Sequence, residues 1–88
     1  MKTYIVQTAH GPQADTNAAK WQDAAYCSTI EQAREKISAM FADKADGEDR
    51  GEDYEANWMK LAERSMSAHV GNALAFDEFA ARIVEDAD

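Results

Sequence analysis

The sequence predicts one small α+β domain spanning residues 1–88, in which an N-terminal antiparallel β-hairpin packs against about three α-helices. A chain of 88 residues holds a single hydrophobic core, because chains divide into domains at roughly 100 to 200 residues each. β-Branched and aromatic residues concentrate near the N-terminus, whereas apolar residues recur at helical spacing after residue 28. Strands followed by helices are typical of a two-layer α+β domain.

The two predicted strands lie in the first third of the chain. Residues 3–9 are rich in β-branched and aromatic side chains and precede the turn signal His10-Gly11-Pro12, which predicts the first strand. Residues 20–27 carry Trp21 and Tyr26, and we expect them to pair back on the first strand across a polar loop. If one face of this sheet is solvated, Trp21 is a candidate exposed aromatic for a partner contact.

Three apolar stripes predict three helices. Ser28 with Glu31, and Thr29 with Gln32, match the capping-box pattern at the start of the first helix. The second helix is expected to begin near Asp53, and the third covers residues 74–86. The stripes are Ile30, Ala33, Ile37, Met40 and Phe41 in the first helix, Tyr54, Trp58, Leu61, Ala62, Ser65 and Met66 in the second, and Phe76, Phe79, Ala80, Ile83 and Ala87 in the third.

Composition excludes several classes of protein. No apolar run approaches the 18 residues of a transmembrane helix, and the N-terminus lacks the apolar segment of a signal peptide, so we expect a soluble, cytoplasmic protein. The net charge of −8 argues against direct binding to nucleic acid or to an anionic membrane, since both require clustered Lys and Arg. A basic partner is the natural complement of such a chain.

The chain lacks the motifs of the common catalytic and metal sites. His10, Cys27 and His69 are too widely spaced for a structural zinc site, and the acidic loop beginning at Asp43 or Asp46 fits neither register of an EF-hand. Phosphate-binding glycine loops and nucleophile elbows are absent from the sequence. We therefore expect no enzyme activity, no metal and no cofactor. Whether Cys27 faces the core or solvent stays open.

Negative charge is concentrated in two places. The first is an acidic connector at about residues 43–53 with its flanks, and the second is the C-terminus. The C-terminal acids would oppose the dipole of a final helix, which favours cations at that end. These clusters are the candidate partner-binding residues: Asp43, Asp46, Glu48, Asp49, Glu52, Asp53 and Glu55 in the first, and Glu85, Asp86 and Asp88 in the second.

In these features the chain resembles the small acidic anti-CRISPR proteins and related DNA-mimic inhibitors of phages and mobile elements. The resemblance rests on short length, one α+β domain, absent catalytic motifs and acid-rich segments at residues 43–55 and 85–88. It implies a phage protein, acting in the cytoplasm of a bacterial host, that binds a CRISPR effector complex of type I character. Its acids would occupy the basic surface of this ribonucleoprotein that normally binds target DNA.

Other interpretations of the sequence remain open. The acidic residues are also what a solvated surface needs for solubility. A small phage or bacterial adaptor or structural protein, acting through protein–protein association, is the main alternative to the inhibitor. A low-activity enzyme or a small-ligand binder would require a pocket that 88 Ala-rich residues barely enclose.

Overall fold

The computed structural model describes residues 2–12, 19–47 and 51–87. In these ranges the chain forms a four-stranded antiparallel sheet with two helices on one of its faces. The strands are β1 (Lys2–His10), β2 (Gln22–Cys27), β3 (Leu74–Phe76) and β4 (Phe79–Ala87), and the helices are α1 (Ile30–Gly47) and α2 (Glu52–Ser65). The strand order across the sheet is β2-β1-β4-β3. The α+β class and the N-terminal hairpin are confirmed.

The predicted third helix is wrong, because residues 74–87 form the β3–β4 hairpin instead. β4 is the longest partner of β1, with which it pairs from Lys2 opposite Ala87 to His10 opposite Phe79. Being central, β4 buries both faces, with Ala80 at 0% and Ala81 at 1% exposure. A strand buried on both faces has no polar alternation, so its apolar residues also satisfied a helical period.

The first helix begins where the capping pattern indicates. The Thr29 hydroxyl accepts a hydrogen bond from the Gln32 backbone N–H at 3.2 Å, and the Gln32 side-chain carbonyl accepts one from the Ser28 N–H at 3.0 Å. Of the two overlapping matches, the Thr29–Gln32 pair is therefore the one that caps α1. The helix then runs on to Gly47. The predicted acidic connector at 43–53 is mostly helical, since residues 43–47 end α1 and residues 52–53 start α2.

The core lies between the two helices and the inner face of the sheet. β1 and β4 contribute Val6, Phe79, Ala81 and Ile83, all at most 5% exposed. The helices contribute an aromatic cluster in which the rings of Phe41 and Trp58 stack at 5.8 Å, while the Phe41 ring meets that of Phe79 edge-on at 5.7 Å. Aromatic side chains bury the largest areas, and so this cluster compensates for a core that is otherwise rich in alanine.

Asp77 and Glu78 form the two-residue turn between β3 and β4. Both have left-handed backbone angles, with φ of 48° and 64°. Two successive positive φ values between paired Phe76 and Phe79 are the geometry of a type I′ turn, which favours Asn and Gly. Asp tolerates this conformation, whereas a longer side chain costs roughly 1–2 kcal/mol there, so the turn is locally unfavourable for Glu78.

Replacement of Glu78 by glycine is expected to stabilise the protein by about 1 kcal/mol, because glycine adopts a positive φ without steric cost. For a domain of this size, that corresponds to a rise in Tm of about 4–8 °C. Thermal unfolding followed by circular dichroism measures it. Glu78→Ala is the matched control, since it removes the same charge and keeps the strained backbone. An equal gain in both variants would show that charge, and not φ, limits stability at the turn.

Candidate functional site

The first acidic cluster flanks the junction between the two helices. Asp43 and Asp46 lie in the last two turns of α1, and all five of its described carboxylates are exposed. The other three lie in the first turn of α2: Glu52, Asp53 and Glu55. None of these five carboxylates forms an ion pair with another described residue. Glu48 and Asp49, which the sequence also assigned to this cluster, lie outside the described residues.

The β3–β4 turn adds two further acids to the same end of the molecule. The Tyr54 ring, in the first turn of α2, packs against the Phe76 ring at a centroid distance of 5.4 Å. The Tyr54 hydroxyl donates a hydrogen bond to the Asp77 carboxylate. Asp77 and Glu78 thus lie beside the start of α2. We call this surface the acidic end: Asp43, Asp46, Glu52, Asp53, Glu55, Asp77 and Glu78.

Sequence reasoning missed Asp77 and Glu78. The helical interpretation of residues 74–86 placed them inside a helix, away from the connector. An Asp-Glu pair between two phenylalanines is a weak turn signal, because the second position of a type I′ turn normally holds Gly rather than Glu. The two-residue period of a strand, which places Phe79, Ala81 and Ile83 on one face, would have predicted a turn before Phe79.

The second acidic cluster lies at the opposite end of the sheet. Glu85 and Asp86 pair with Tyr4 and Thr3 near the start of β1. At about 3.3 Å per residue, Asp86 is separated from Phe79 by roughly 23 Å along β4. The two predicted clusters therefore do not meet in one surface. The predicted conflict with a helix dipole is also wrong, since Glu85 and Asp86 belong to a strand; Asp88 lies outside the described residues.

Glu85 forms an ion pair, which none of the five described carboxylates of the first cluster does. Its carboxylate lies 3.0 Å from the Lys2 ammonium group. The hydrogen bond from Lys2 to Glu85, together with the charge of the carboxylate, raises the pKa of Lys2 above its ordinary value. Because both side chains are solvent-accessible, this pair contributes little to stability.

A cleft opens beside the acidic end, between the end of β1 and the last turns of α1. Its volume is about 550 Å³, and its lining includes His10, Asp43, Lys44 and Phe79. The Lys44 ammonium lies over the Phe79 ring, 4.9 Å from its centroid, and the His10 ring lies 5.0 Å from the same ring. The acidic end is thus adjacent to an aromatic surface that already holds a cation.

Trp21, the candidate exposed aromatic, is half-buried on the outer face of the sheet. It packs with Ala9 and Ala80 in a small second cluster, and its ring lies 4.2 Å from the Arg82 guanidinium carbon. The exposed aromatic side chain of this face is instead Tyr26, at 67% exposure. Trp21 therefore covers part of the sheet, while Tyr26 is the aromatic group accessible to a partner.

Hydrogen bonds link three strands across the outer face of the sheet. Arg82 Nε donates to Gln7 Oε1 at 2.9 Å, and Gln7 Nε2 donates to Asp23 Oδ1 at 2.9 Å. The Tyr26 hydroxyl donates to the other carboxylate oxygen of Asp23 at 2.8 Å. The hydrogen bonds from Gln7 and Tyr26 lower the pKa of Asp23 below its ordinary value. The chain of bonds fixes the orientation of Tyr26 relative to β1 and β4.

Three further observations concern Cys27, the candidate metal ligands and the apolar length of the helices in the described part of the chain. Cys27 is 6% exposed and belongs to the core, which settles its orientation. Among residues 2–12, 19–47 and 51–87, no three His, Cys, Asp or Glu side chains are grouped as metal ligands. No helix within those ranges is long and apolar enough to span a bilayer.

Comparison with known proteins adds no relative. No protein-family model, curated protein sequence or solved structure matches the chain. The function must therefore be argued from the charge distribution and the surfaces described above.

The Asp23 network predicts a pH-dependent difference between the wild type and Asp23→Asn. Because the folded-state pKa of Asp23 is lowered, its contribution to stability is present above the ordinary value of 3.8 and is lost as pH falls through the lower folded-state pKa. We expect Asp23→Asn to be less stable than the wild type at pH 7.

The difference should shrink below pH 3.8, where the protonated carboxyl increasingly resembles the amide. Urea denaturation at pH 7 and at pH 3 measures both values. Tyr26→Phe is the control, because it removes one of the two hydrogen bonds and should show a smaller pH dependence. A stability difference that is the same at both pH values would contradict the network.

Proposed function

We propose that this protein is a non-catalytic inhibitor that binds, through its acidic end, a basic nucleic-acid-binding surface of a protein or ribonucleoprotein complex. Occupation of that surface would exclude the nucleic acid. A bacterial CRISPR effector complex of type I character is the target that the resemblance implies, which makes the protein a proposed anti-CRISPR. The proposal rests on the acidic end, and the Glu85–Asp86 cluster lies too far away to share the same compact contact.

The observation that carries the proposal is that acidic residues occupy positions where local stability disfavours them. Asp46 lies in the last turn of α1, where the helix dipole disfavours an anion by about 0.3–1 kcal/mol. Glu78 occupies a left-handed position better suited to Gly, Asn or Asp, whereas Asp77, before it, is a residue that tolerates this conformation. Two local costs, one at the end of α1 and one at Glu78 in the β3–β4 turn, thus lie at the same end of the molecule. A solubility requirement alone would place carboxylates anywhere on the surface.

The remaining acids of this end need no such explanation. Glu52, Asp53 and Glu55 are in the first turn of α2, where the helix dipole stabilises negative charge. Their N-cap is Gly51, which supplies no side-chain hydrogen bond, so these carboxylates also complement unpaired backbone N–H groups. They add to the field of the acidic end, but they carry less weight as evidence for function.

Carboxylates at helix ends and at a tight turn are suited to imitate phosphates. They offer paired oxygens to Arg and Lys in the way that phosphate groups do. The acidic end is formed by elements anchored in the aromatic core, through Tyr54 on Phe76 and Phe79 on Phe41. Anchoring keeps the charges in fixed relative positions, which lowers the entropic cost of binding. Association driven by such charges is fast and sensitive to salt.

An adaptor that associates through its sheet remains the second candidate. Within the described residues, β2 pairs only with β1, and so its outer edge is open. An open edge can add a strand from another chain. A dimer measured by light scattering, together with no effect on any nucleic-acid-binding complex, would favour this adaptor over the inhibitor.

The inhibitor is tested by removing three carboxylates from the acidic end. A purified type I effector complex is mixed with labelled target DNA, and DNA binding is followed as this protein is titrated in. We expect the wild type to inhibit DNA binding. The inhibition constant of the acidic-end variant should be about tenfold higher, because each exposed charge contributes a few tenths to 1 kcal/mol to binding. The variant carries Asp43→Asn, Asp46→Asn and Asp53→Asn.

The matched control removes the same number of charges elsewhere: Glu35→Gln, Glu63→Gln and Asp86→Asn. All three are exposed, and they lie on α1, α2 and β4 outside the acidic end. We expect the control variant to inhibit nearly as well as the wild type. Equal weakening in both variants would reduce the effect to net charge. Absence of inhibition by the wild type would remove this target, and phage plaquing on bacteria with other CRISPR types would extend the test.

A further inference from the structure

The cleft beside the acidic end is not used by the proposed charge contact. Its walls come from four elements: β1 contributes Thr8 and His10, β2 contributes Ala24, α1 contributes residues of its last turns such as Met40, and β4 contributes Phe79. Its volume of about 550 Å³ is within the range of sites that bind small molecules or single side chains. The cleft therefore has room for a ligand group in addition to Lys44.

The chemistry around the Phe79 ring is that of a cation site. The face of an aromatic ring attracts a cation within about 6 Å of its centroid, and Lys44 Nζ lies there at 4.9 Å. Asp43 contributes a carboxylate to the same cleft. The last carbonyl groups of α1, which ends at Gly47 in the cleft wall, have no partner within their helix and carry the negative end of the dipole.

Thr8 adds a polar group to the same cleft, which it lines at 8% exposure. Its hydroxyl oxygen is a hydrogen-bond acceptor, as is the carboxylate of Asp43. A ligand that carries several N–H donors would be complementary to both groups.

We propose that this cleft binds the side chain of an arginine from the basic partner, and that Lys44 occupies the cation position in the free protein. This inference rests on the proposed function, because it takes the partner to be basic. A guanidinium group fits the site better than an ammonium, since it is planar, stacks on an aromatic face and presents five donors. Met40 would line the aliphatic stem. Lys44 must move off the Phe79 ring before the arginine enters.

The proposal and a purely structural role of Lys44 predict different effects of its replacement on the binding of a guanidinium. If Lys44 only stabilises the fold, its removal weakens the protein and creates no binding. If Lys44 competes for the cation position, Lys44→Gln opens the ring face and strengthens the binding of a guanidinium. Lys60→Gln is the matched control, because Lys60 is exposed on α2 and its replacement changes the net charge by the same amount.

The experiment titrates N-acetyl-arginine methyl ester into ¹⁵N-labelled protein and follows amide shifts by NMR. We expect binding in the wild type, with shifts concentrated at His10, Gly47 and Phe79, and a Kd about two- to fivefold lower in Lys44→Gln, as removal of one cation–π competitor predicts. Lys60→Gln should bind as the wild type does. Adding Asp43→Asn to Lys44→Gln should reverse the gain. N-acetyl-lysine methyl ester should bind more weakly than the arginine probe.

Several outcomes would overturn the proposal. Equal Kd values in Lys44→Gln and Lys60→Gln, or shifts spread over all acidic segments, would reduce the effect to net charge. Equal binding of the lysine probe would overturn the assignment to arginine. If Lys44→Gln does not fold, the wild-type titration decides, because absence of localised shifts there excludes the site. This assay contains no effector complex, so its failure is distinguishable from a failure to inhibit DNA binding.

Discussion

The pairing of β1 with β4 is the constraint on which the rest of the structure depends. It joins the two ends of the chain along nine residue pairs and places the C-terminal strand at the centre of the sheet. β2 and β3 pair with the outer edges of β1 and β4, respectively. Both helices lie over one face of the resulting sheet, whereas the other face carries Trp21, Arg82 and the hydrogen bonds around Gln7. Such non-local pairing is slow to form, because the chain ends must meet before the contact stabilises them.

The same pairing concentrates the negative charge. The end of α1 and the β3–β4 turn both lie at the end of the sheet at which β1 finishes and β4 begins. Contacts from Tyr54 to Phe76 and Asp77 hold the two segments side by side. Acids that are distant in sequence, such as Asp46 and Asp77, thereby become parts of one surface. Because β4 runs away from this end, Glu85 and Asp86 lie at the opposite end of the sheet.

Local signals predicted the elements that local interactions specify. The strand before Gly11-Pro12 and the cap at Thr29 are encoded within a few residues, and both are found in the structure. β4 was not predictable in this way, because Ala80 and Ala81 are small enough to suit either a helix or a doubly buried strand. Its identity depends on a partner some seventy residues earlier. The acidic end was therefore predicted only in part, and the cleft around Phe79 could not be predicted from spacing at all.

Phe79 connects the stability of the core to the proposed recognition of a cation. Its ring contacts Phe41 at 5.7 Å and Trp58 at 6.2 Å inside the core, while Lys44 and His10 approach it from the cleft. Because these core contacts fix the position of the ring, its face on the side of the cleft is preorganised for contact with a cation. In an alanine-rich domain with few large side chains, the residues that secure the fold are also those available to shape a binding surface. Substitution of Phe79 would therefore affect folding and binding together, whereas Lys44, at the margin of the same ring, is the position where the two are separable.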